Sequence, residues 1–108
     1  MNKIILSISI LLFSFSVSAT VITGNIFLDY VKDFEDNNDI GAANFINGYM
    51  AGLYDAHELE LTTCISENVK MSSLRDAVAI YLKKNPSERE WSVDDYFVIA
   101  VKEEWDCS

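Results

Sequence analysis

The chain has 108 residues, and its 17 acidic residues against 8 lysines and arginines give a formal net charge of −9 at pH 7. This charge argues against nucleic acids and anionic membranes as partners, because both attract basic protein surfaces. It is compatible with a basic protein partner, and equally with a need for solubility.

The chain begins with a predicted secretory signal peptide over residues 1–19. Lys3 provides the positively charged start, an apolar run covers residues 4–13, and the small residues at 17–19 are typical of a cleavage site. A retained transmembrane helix is the alternative, but it would need about 20 apolar residues, and serines interrupt this run earlier. No cysteine follows the cleavage site, so a lipoprotein anchor is not expected. Residues 20–108 are therefore predicted to form one small exported domain, with no membrane association after cleavage.

Helical periodicity continues along the rest of the chain, and no alternating run is long enough to predict a sheet. The first predicted helix spans residues 25–35 and is ended by the acidic and amide run at residues 35–39. The second predicted helix spans residues 41–57. The residues of these two helices predicted to face the core are Ile26, Phe27, Tyr30, Val31 and Phe34, then Phe45, Ile46, Tyr49, Leu53 and Ala56.

Two glycines, Gly48 and Gly52, lie one turn apart in the second predicted helix. A glycine in a helix interior costs up to about 1 kcal/mol relative to alanine, so the pair calls for a packing reason. We expect a neighbouring helix to approach the backbone closely at this point.

The segment at residues 58–72 lacks a sustained period and is expected to be the longest loop. A third helix is predicted to start at a cap formed by Ser72 or Ser73. It should stop before Pro86, because a proline disfavours helical geometry in the residue before it. The residues of this helix predicted to face the core are Leu74, Ala77, Val78, Tyr81 and Leu82.

A connection at residues 85–90 leads to the last predicted helix, residues 93–105, which Ser92 and Asp95 should open as a capping box. A helix that is apolar around most of its circumference must be buried on several sides, either centrally or in a subunit interface. Its apolar residues are Val93, Tyr96, Phe97, Ile99, Ala100, Val101 and Trp105. The sequence thus predicts an all-α fold, a small compact helical domain of about four main helices with one disulfide.

The two cysteines of the chain, Cys64 and Cys107, are predicted to form that disulfide, because an even number of cysteines in an exported protein is typical of disulfide bonding. Closing a loop of about 43 residues stabilises a fold by roughly 4 kcal/mol on chain-entropy grounds. That is comparable with the net stability of a domain this small. The alternatives are weaker: a cysteine nucleophile would need His57 as its base, and two cysteines with one histidine fit no metal-site spacing.

The sequence contains no Gly-rich phosphate loop, no HExxH zinc pattern and no nucleophile elbow. His57, the sole histidine, has no orienting partner in the sequence and is interpreted as structural. Asp94 and Asp95 are interpreted as the charged start of a helix, since adjacent helical residues point about 100° apart. We therefore predict no catalytic residue, no cofactor and no metal ligand. Trp91, beside a polar turn, would be an interface anchor if exposed.

The chain resembles the Rap/Tai family, periplasmic immunity proteins that protect bacteria against type VI secretion effectors. Residues 48–52 are similar to the family's Gly-Tyr-x-x-Gly helix. The C-terminal half follows the family order of a cysteine, a capped helix with a Tyr-Leu pair, a helix stop, an arginine and a final cysteine. The matching positions are Cys64, Ile65, Glu67, Leu74, Tyr81, Leu82, Pro86, Arg89 and Cys107.

The resemblance covers roughly residues 25–108, with three departures. Many relatives carry a further cysteine pair that links the first two helices, and this chain has none. Ser66 and Asp106 occupy positions where relatives commonly have prolines. These departures leave the framework intact but bear on which toxin is cognate.

The resemblance implies a non-enzymatic inhibitor in the periplasm. The best-known relatives bind peptidoglycan amidases, which are cysteine endopeptidases, often act as homodimers, and insert a protruding loop into the substrate cleft. We hypothesise that this loop is the connection at residues 85–91, with partner-binding residues Ser87, Glu88, Arg89, Glu90 and Trp91. The alternative is an ordinary solvated connection between helices. The acidic segment at residues 33–39 is the second candidate surface.

An acid-stress periplasmic chaperone of small helical type is an alternative function from a different class. Such a protein needs many carboxylates whose protonation loosens the fold, and this chain has 17 acidic residues. Reversible binding of a hydrophobic dye at acidic pH, together with client protection, would distinguish it from an inhibitor. An enzyme ranks third, because the motifs assemble no catalytic site.

Overall fold

The computed structural model describes residues 21–107, so the predicted signal peptide at residues 1–19 lies outside the described residues. Within them the chain forms five α-helices and one 3-10 helix, and no strand. The elements are α1 (Gly24–Asn37), α2 (Ile40–Ala56), α3 (Glu58–Leu61), α4 (Met71–Lys84), the 3-10 helix (Pro86–Glu90) and α5 (Val93–Glu104). Because α3 is a single turn, the predicted all-α domain with four main helices is confirmed.

A two-residue turn joins α1 and α2. Thr23 caps α1, and its hydroxyl accepts the N–H three residues later at 3.3 Å. Asn38 has a φ of 52°, a left-handed conformation that asparagine tolerates better than most residues. Asp39 caps α2, and its carboxylate accepts the Ala42 N–H at 3.1 Å. The predicted end of the first helix in the acidic and amide run is therefore confirmed.

The predicted disulfide is confirmed: Cys64, in the loop after α3, is bonded to Cys107, and their Cα atoms are 5.8 Å apart. The first part of the segment that was expected to be a long loop forms α3, and Leu61 at the end of α3 is fully buried. At the other end of the bridge, Asp106 has a φ of 52°. The Cys107 N–H donates to the Lys102 carbonyl at 2.8 Å, which ends α5 as a Schellman motif.

Two predicted caps are wrong. Lys70, not Ser72 or Ser73, precedes the first residue of α4, because Met71 packs against the core and extends the helix; most helical stability comes from such packing. Ser92 does precede α5, but its side chain makes no capping hydrogen bond. Its backbone instead pairs with Thr23 in an isolated β-bridge, which sets its conformation.

The core draws on every main helix, and all five residues of α4 predicted to face inward are buried. Two other predictions are wrong: Phe45 is 41 % exposed and Ala56 is exposed. The ring of Tyr30 in α1 stacks on Phe45 but leaves much of it exposed, and Ala56 is the last residue of α2. Ile99 of α5 is 50 % exposed, so one side of this apolar helix is not buried within the described chain. The largest fully buried side chains are Phe27, Phe97, Ile46, Met50, Leu61, Leu74, Leu82, Val78, Val93 and Val101.

The expected close approach at Gly48 and Gly52 is also wrong. A Cβ atom built at either position meets no heavy atom within 4 Å, because both glycines lie on the exposed face of α2. The closely packed glycine is Gly24, the first residue of α1. A Cβ there would lie 2.8 Å from the Arg89 Cα and 2.7 Å from the Tyr96 Oη. Gly24 therefore sets how near α1 comes to the 3-10 helix.

Candidate partner-binding surface

The connection between α4 and α5 is a hydrogen-bonded 3-10 helix. Pro86 occupies its first position, where the missing N–H costs nothing. The Glu88 N–H donates to the Asn85 carbonyl at 3.0 Å, and the Trp91 N–H donates to the Glu88 carbonyl at 3.0 Å. The segment that carries the predicted partner-binding residues thus has a defined backbone.

Trp91 combines a fixed backbone with an exposed side chain. Its carbonyl accepts the Gly24 N–H at 3.1 Å and the Tyr96 hydroxyl at 3.5 Å. Two residues later, the Val93 N–H donates to the Ile22 carbonyl at 2.9 Å. The Trp91 side chain nevertheless remains 61 % exposed. A large ring presented from an anchored backbone loses little conformational entropy when it binds a partner.

The five predicted residues are adjacent but differ in exposure. Ser87, Glu90 and Trp91 are exposed, whereas Glu88 and Arg89 are half-buried. The Arg89 Nε atom is buried and has no hydrogen-bond partner among residues 21–107, and the Arg89 backbone packs against α1. Arg89 therefore contributes to the packing of the fold, and the three exposed residues form the accessible part of this set.

The negative charges around this segment act on nearby tyrosines. Burial raises the pKa of Tyr96, and the charge of Glu88 adds to that shift. Burial also raises the pKa of Tyr49 to about 12, with contributions from Asp94 and Asp95 at the start of α5. The acidic side chains of Glu88, Asp94 and Asp95 thus act on the tyrosines near the start of α5.

His57 links three elements through both of its ring nitrogens. Its Nε2 lies 3.0 Å from the Asp94 Oδ1, and its Nδ1 lies 3.3 Å from the Glu60 Oε1. A neutral imidazole carries one N–H, so only the imidazolium donates to both carboxylates. The hydrogen bond to Asp94 raises the pKa of His57, opposed in part by burial. The sequence carries no signal for this cluster, because Asp94 lies 37 positions from His57.

The second candidate surface, at residues 33–39, surrounds the turn between α1 and α2. Asp33, Glu35 and Asp36 are exposed, as is Asp39. Ile40, the first residue of α2, is 69 % exposed. This surface therefore also combines acidic groups with one apolar side chain, but that side chain is smaller than an indole.

The exposed face of α2 carries a row of aromatic rings beside its glycines. Phe45 stacks on Tyr30 of α1, with ring centroids 4.4 Å apart, and lies 6.4 Å from the ring of Tyr49. Gly48 and Gly52 follow on the same side of α2, where they leave the helix backbone accessible. The face therefore has a raised aromatic part and a flat part.

A surface cavity of about 320 Å³ lies at the opposite end of the α4–α5 pair, lined by Ser73, Asp76, Glu104 and Trp105. It contains no predicted partner-binding residue. Within residues 21–107, no group of three or more His, Cys, Asp or Glu side chains is placed to hold a metal ion. No helix in this range is long and apolar enough to cross a membrane.

These features describe a small helical domain that is braced by a disulfide and presents an exposed tryptophan on a fixed backbone. Residues 23–107 match the family model of the Rap1a immunity proteins. The chain therefore belongs to the Rap1a immunity protein family, whose members bind a cognate effector toxin and are not typically catalytic. Comparisons with curated proteins and with solved structures find no significant match.

Proposed function

We propose that this protein is a periplasmic immunity protein that binds a type VI secretion effector, a peptidoglycan amidase, and inhibits it by blocking the active-site cleft. Membership of the Rap1a family supports the immunity role. The choice of an amidase as target rests on the resemblance to the relatives that inhibit such enzymes. The contact residues are those of the connection between α4 and α5, namely Ser87, Glu88, Arg89, Glu90 and Trp91.

The observation that carries this proposal is the presentation of Trp91. Its indole is the largest of the exposed apolar side chains among residues 21–107, and its backbone is held by α1 and α5. Tryptophans in such settings are over-represented among residues that dominate binding energies at interfaces. Ser87 and Glu90 provide exposed hydrogen-bonding groups on the same segment.

The experiment is protection of cells that express a type VI peptidoglycan amidase effector, a cysteine hydrolase, in the periplasm. The native protein should prevent lysis and should bind the purified hydrolase. Replacing Ser87, Glu90 and Trp91 together by alanine should abolish protection without lowering the melting temperature, because these side chains are exposed. Glu88 and Arg89 are left in place, because their loss would also disturb packing. Unchanged affinity in the triple variant would refute this choice of contact residues.

Export to the periplasm is part of the proposal. It requires removal of residues 1–19, so the mature protein should begin at Thr20. Mass spectrometry of protein purified from the periplasmic fraction measures this directly. An intact N-terminus, or recovery from the cytoplasm alone, would contradict the proposed location.

We also propose a homodimer, formed through the exposed face of α2. The projecting Phe45 and the flat surface at Gly48 and Gly52 lie on one helix face, so two copies related by a two-fold axis can place each ring against the other's glycines. Gly48→Glu should make the protein monomeric in analytical ultracentrifugation, whereas Asn47→Glu, on the adjacent face of α2, should not. A monomeric native protein, or equal effects of both variants, would refute this interface.

The His57 cluster bears on the chaperone alternative. Its two imidazolium bonds form as the pH falls through the raised pKa of His57, and they persist until Glu60 and Asp94 become protonated. In that interval the cluster strengthens the link between α3 and α5, whereas an acid-activated protein would need to loosen it. Hydrophobic-dye binding between pH 7 and pH 2 separates the two functions. Reversible opening that protects client proteins would favour the chaperone, and retained structure or simple denaturation would favour the inhibitor.

A further inference from the structure

Four carboxylates surround Trp91 along the chain: Glu88 and Glu90 precede it, and Asp94 and Asp95 follow it. The three ion pairs found within residues 21–107 join His57 to Glu60, His57 to Asp94 and Arg75 to Asp76. Glu88, Glu90 and Asp95 thus have no ion-pair partner in the described chain. We call these three residues the acidic rim.

Arg89, the one cation inside this segment, forms no ion pair with the acidic rim. It makes no ion pair within the described residues, its Nε is buried, and its Cα lies where Gly24 of α1 comes closest. The field of the rim also reaches the phenol of Tyr96, on which the negative charge of Glu88 acts to raise the pKa. An exposed apolar ring therefore lies beside carboxylates that have no ion-pair partner within the described residues.

We propose that the partner contacts this segment through an apolar slot for the Trp91 indole, framed by lysine or arginine side chains. This inference rests on the proposed function and specifies the chemistry of the toxin surface at the same contact. Binding partly desolvates the rim carboxylates, which is costly unless cations of the partner replace the lost water. Opposite charges on the two surfaces also accelerate the approach of the partners.

The experiment measures association rates, at several ionic strengths, for the disulfide-bonded mature protein and the purified amidase effector against which it protects cells. Neutralising the rim, with Glu88→Gln, Glu90→Gln and Asp95→Asn, should lower the association rate constant about tenfold or more at low salt. It should also flatten the salt dependence of that constant. Trp91→Ala should instead act mainly by speeding dissociation.

The matched control neutralises three exposed carboxylates at the end of α1, with Asp33→Asn, Glu35→Gln and Asp36→Asn. Both triple variants lose three negative charges. The control positions lie nine or more residues beyond Gly24, about 14 Å or more along α1 from its contact with Trp91. Steering by the acidic rim predicts that the control keeps most of the association rate.

Equal losses in the two triple variants would show that only net charge matters and would overturn the inference. A rate that is insensitive to salt would overturn it as well, while leaving the proposed function in place. Glu90→Lys, a single change at an exposed position, should also slow association. It tests the inference even if the triple variant does not fold. Absence of binding by the native protein would overturn the proposed function, and this inference with it.

Discussion

Replacing both exposed glycines of α2 by alanine should stabilise the protein. At Gly48 and Gly52 the added Cβ meets no heavy atom within 4 Å, so the substitution introduces no clash within the chain. Each change recovers about 0.5–1 kcal/mol of helix propensity, or roughly 1–2 kcal/mol for the pair. For a domain of this size, that corresponds to a rise in melting temperature of roughly 5–15 °C.

The matched control is Gly24→Ala, a glycine of α1 in a crowded position. Its Cβ would lie 2.8 Å from the Arg89 Cα, a backbone atom that cannot move without shifting the 3-10 helix. Overpacking of this kind costs about 1–3 kcal/mol, so this variant should melt earlier than the native protein.

Thermal and urea unfolding at low protein concentration measures these effects in the monomer. Concentration matters because the proposed dimer buries the same face of α2, and a dimer weakened by the added methyl groups would offset the gain at high concentration. Loss of stability in the Gly48→Ala and Gly52→Ala variant at all concentrations would refute the reasoning, because it would mean that this helix face is already packed within the chain.

Three further substitutions test other parts of the structure. His57→Gln should cost most stability near pH 6 and less near pH 9. The pKa of His57 is raised in the folded state, so its contribution to stability is present below the unfolded pKa and is lost as the pH rises through the folded pKa. Urea unfolding at both pH values measures this, and a pH-independent loss would contradict the two-carboxylate arrangement. Cys107→Ala should lower the free energy of unfolding by up to about 4 kcal/mol, the chain-entropy limit for this loop, while a negligible loss would show that packing alone holds the end of α5. Asp106→Pro should destabilise the protein and Asp106→Gly should not, because the φ of 52° is closed to proline and open to glycine; equal melting temperatures would show that the helix end rearranges freely.

The sequence predicted the helices well because their order depends on strong local signals. The periodic apolar residues of α4 and the stop before Pro86 locate that helix within a residue or two. The pairing of Cys64 with Cys107 followed from compartment and count alone. Patterns within one helix suffice for such predictions, because each depends on residues close in the chain.

The wrong predictions of burial concern side chains whose exposure depends on which other element covers their helix face. Periodicity placed Phe45 and Ala56 inward, but both are exposed, although Tyr30 of α1 stacks on one side of Phe45. The prediction of a packing role for Gly48 was wrong for the same reason, because the neighbouring elements cannot be read from local spacing. Gly24 has the packing role, but it lies at the start of a helix, where no sequence pattern indicates close packing. The arrangement of the helices in space decides which helix faces are covered, and the local spacing of apolar residues does not specify that arrangement.

The sequence indicated where the predicted partner-binding residues lie, but not which of them are exposed. Their adjacency in the chain guaranteed a common segment, and the polar composition of residues 85–91 indicated a surface position. The sequence could not show that Trp91 is exposed on an anchored backbone, since the anchoring hydrogen bond comes from Gly24, which is close in space but distant in the chain. Nor could it show that Arg89 serves the packing of α1.

The disulfide also divides the domain topologically. Cys64 and Cys107 close a covalent ring that contains α4, the 3-10 helix and α5, whereas α1 and α2 lie outside it and are attached through the chain at residues 57–63 and through non-covalent contacts. Detachment of the α1–α2 hairpin is thus the partial unfolding that the ring does not oppose. Such an opening removes the Gly24 hydrogen bond from Trp91 but leaves the segment inside its covalent frame. Residues 85–91 would therefore lose one anchoring hydrogen bond in such an opening, while the helices on both sides of them stay linked by the disulfide.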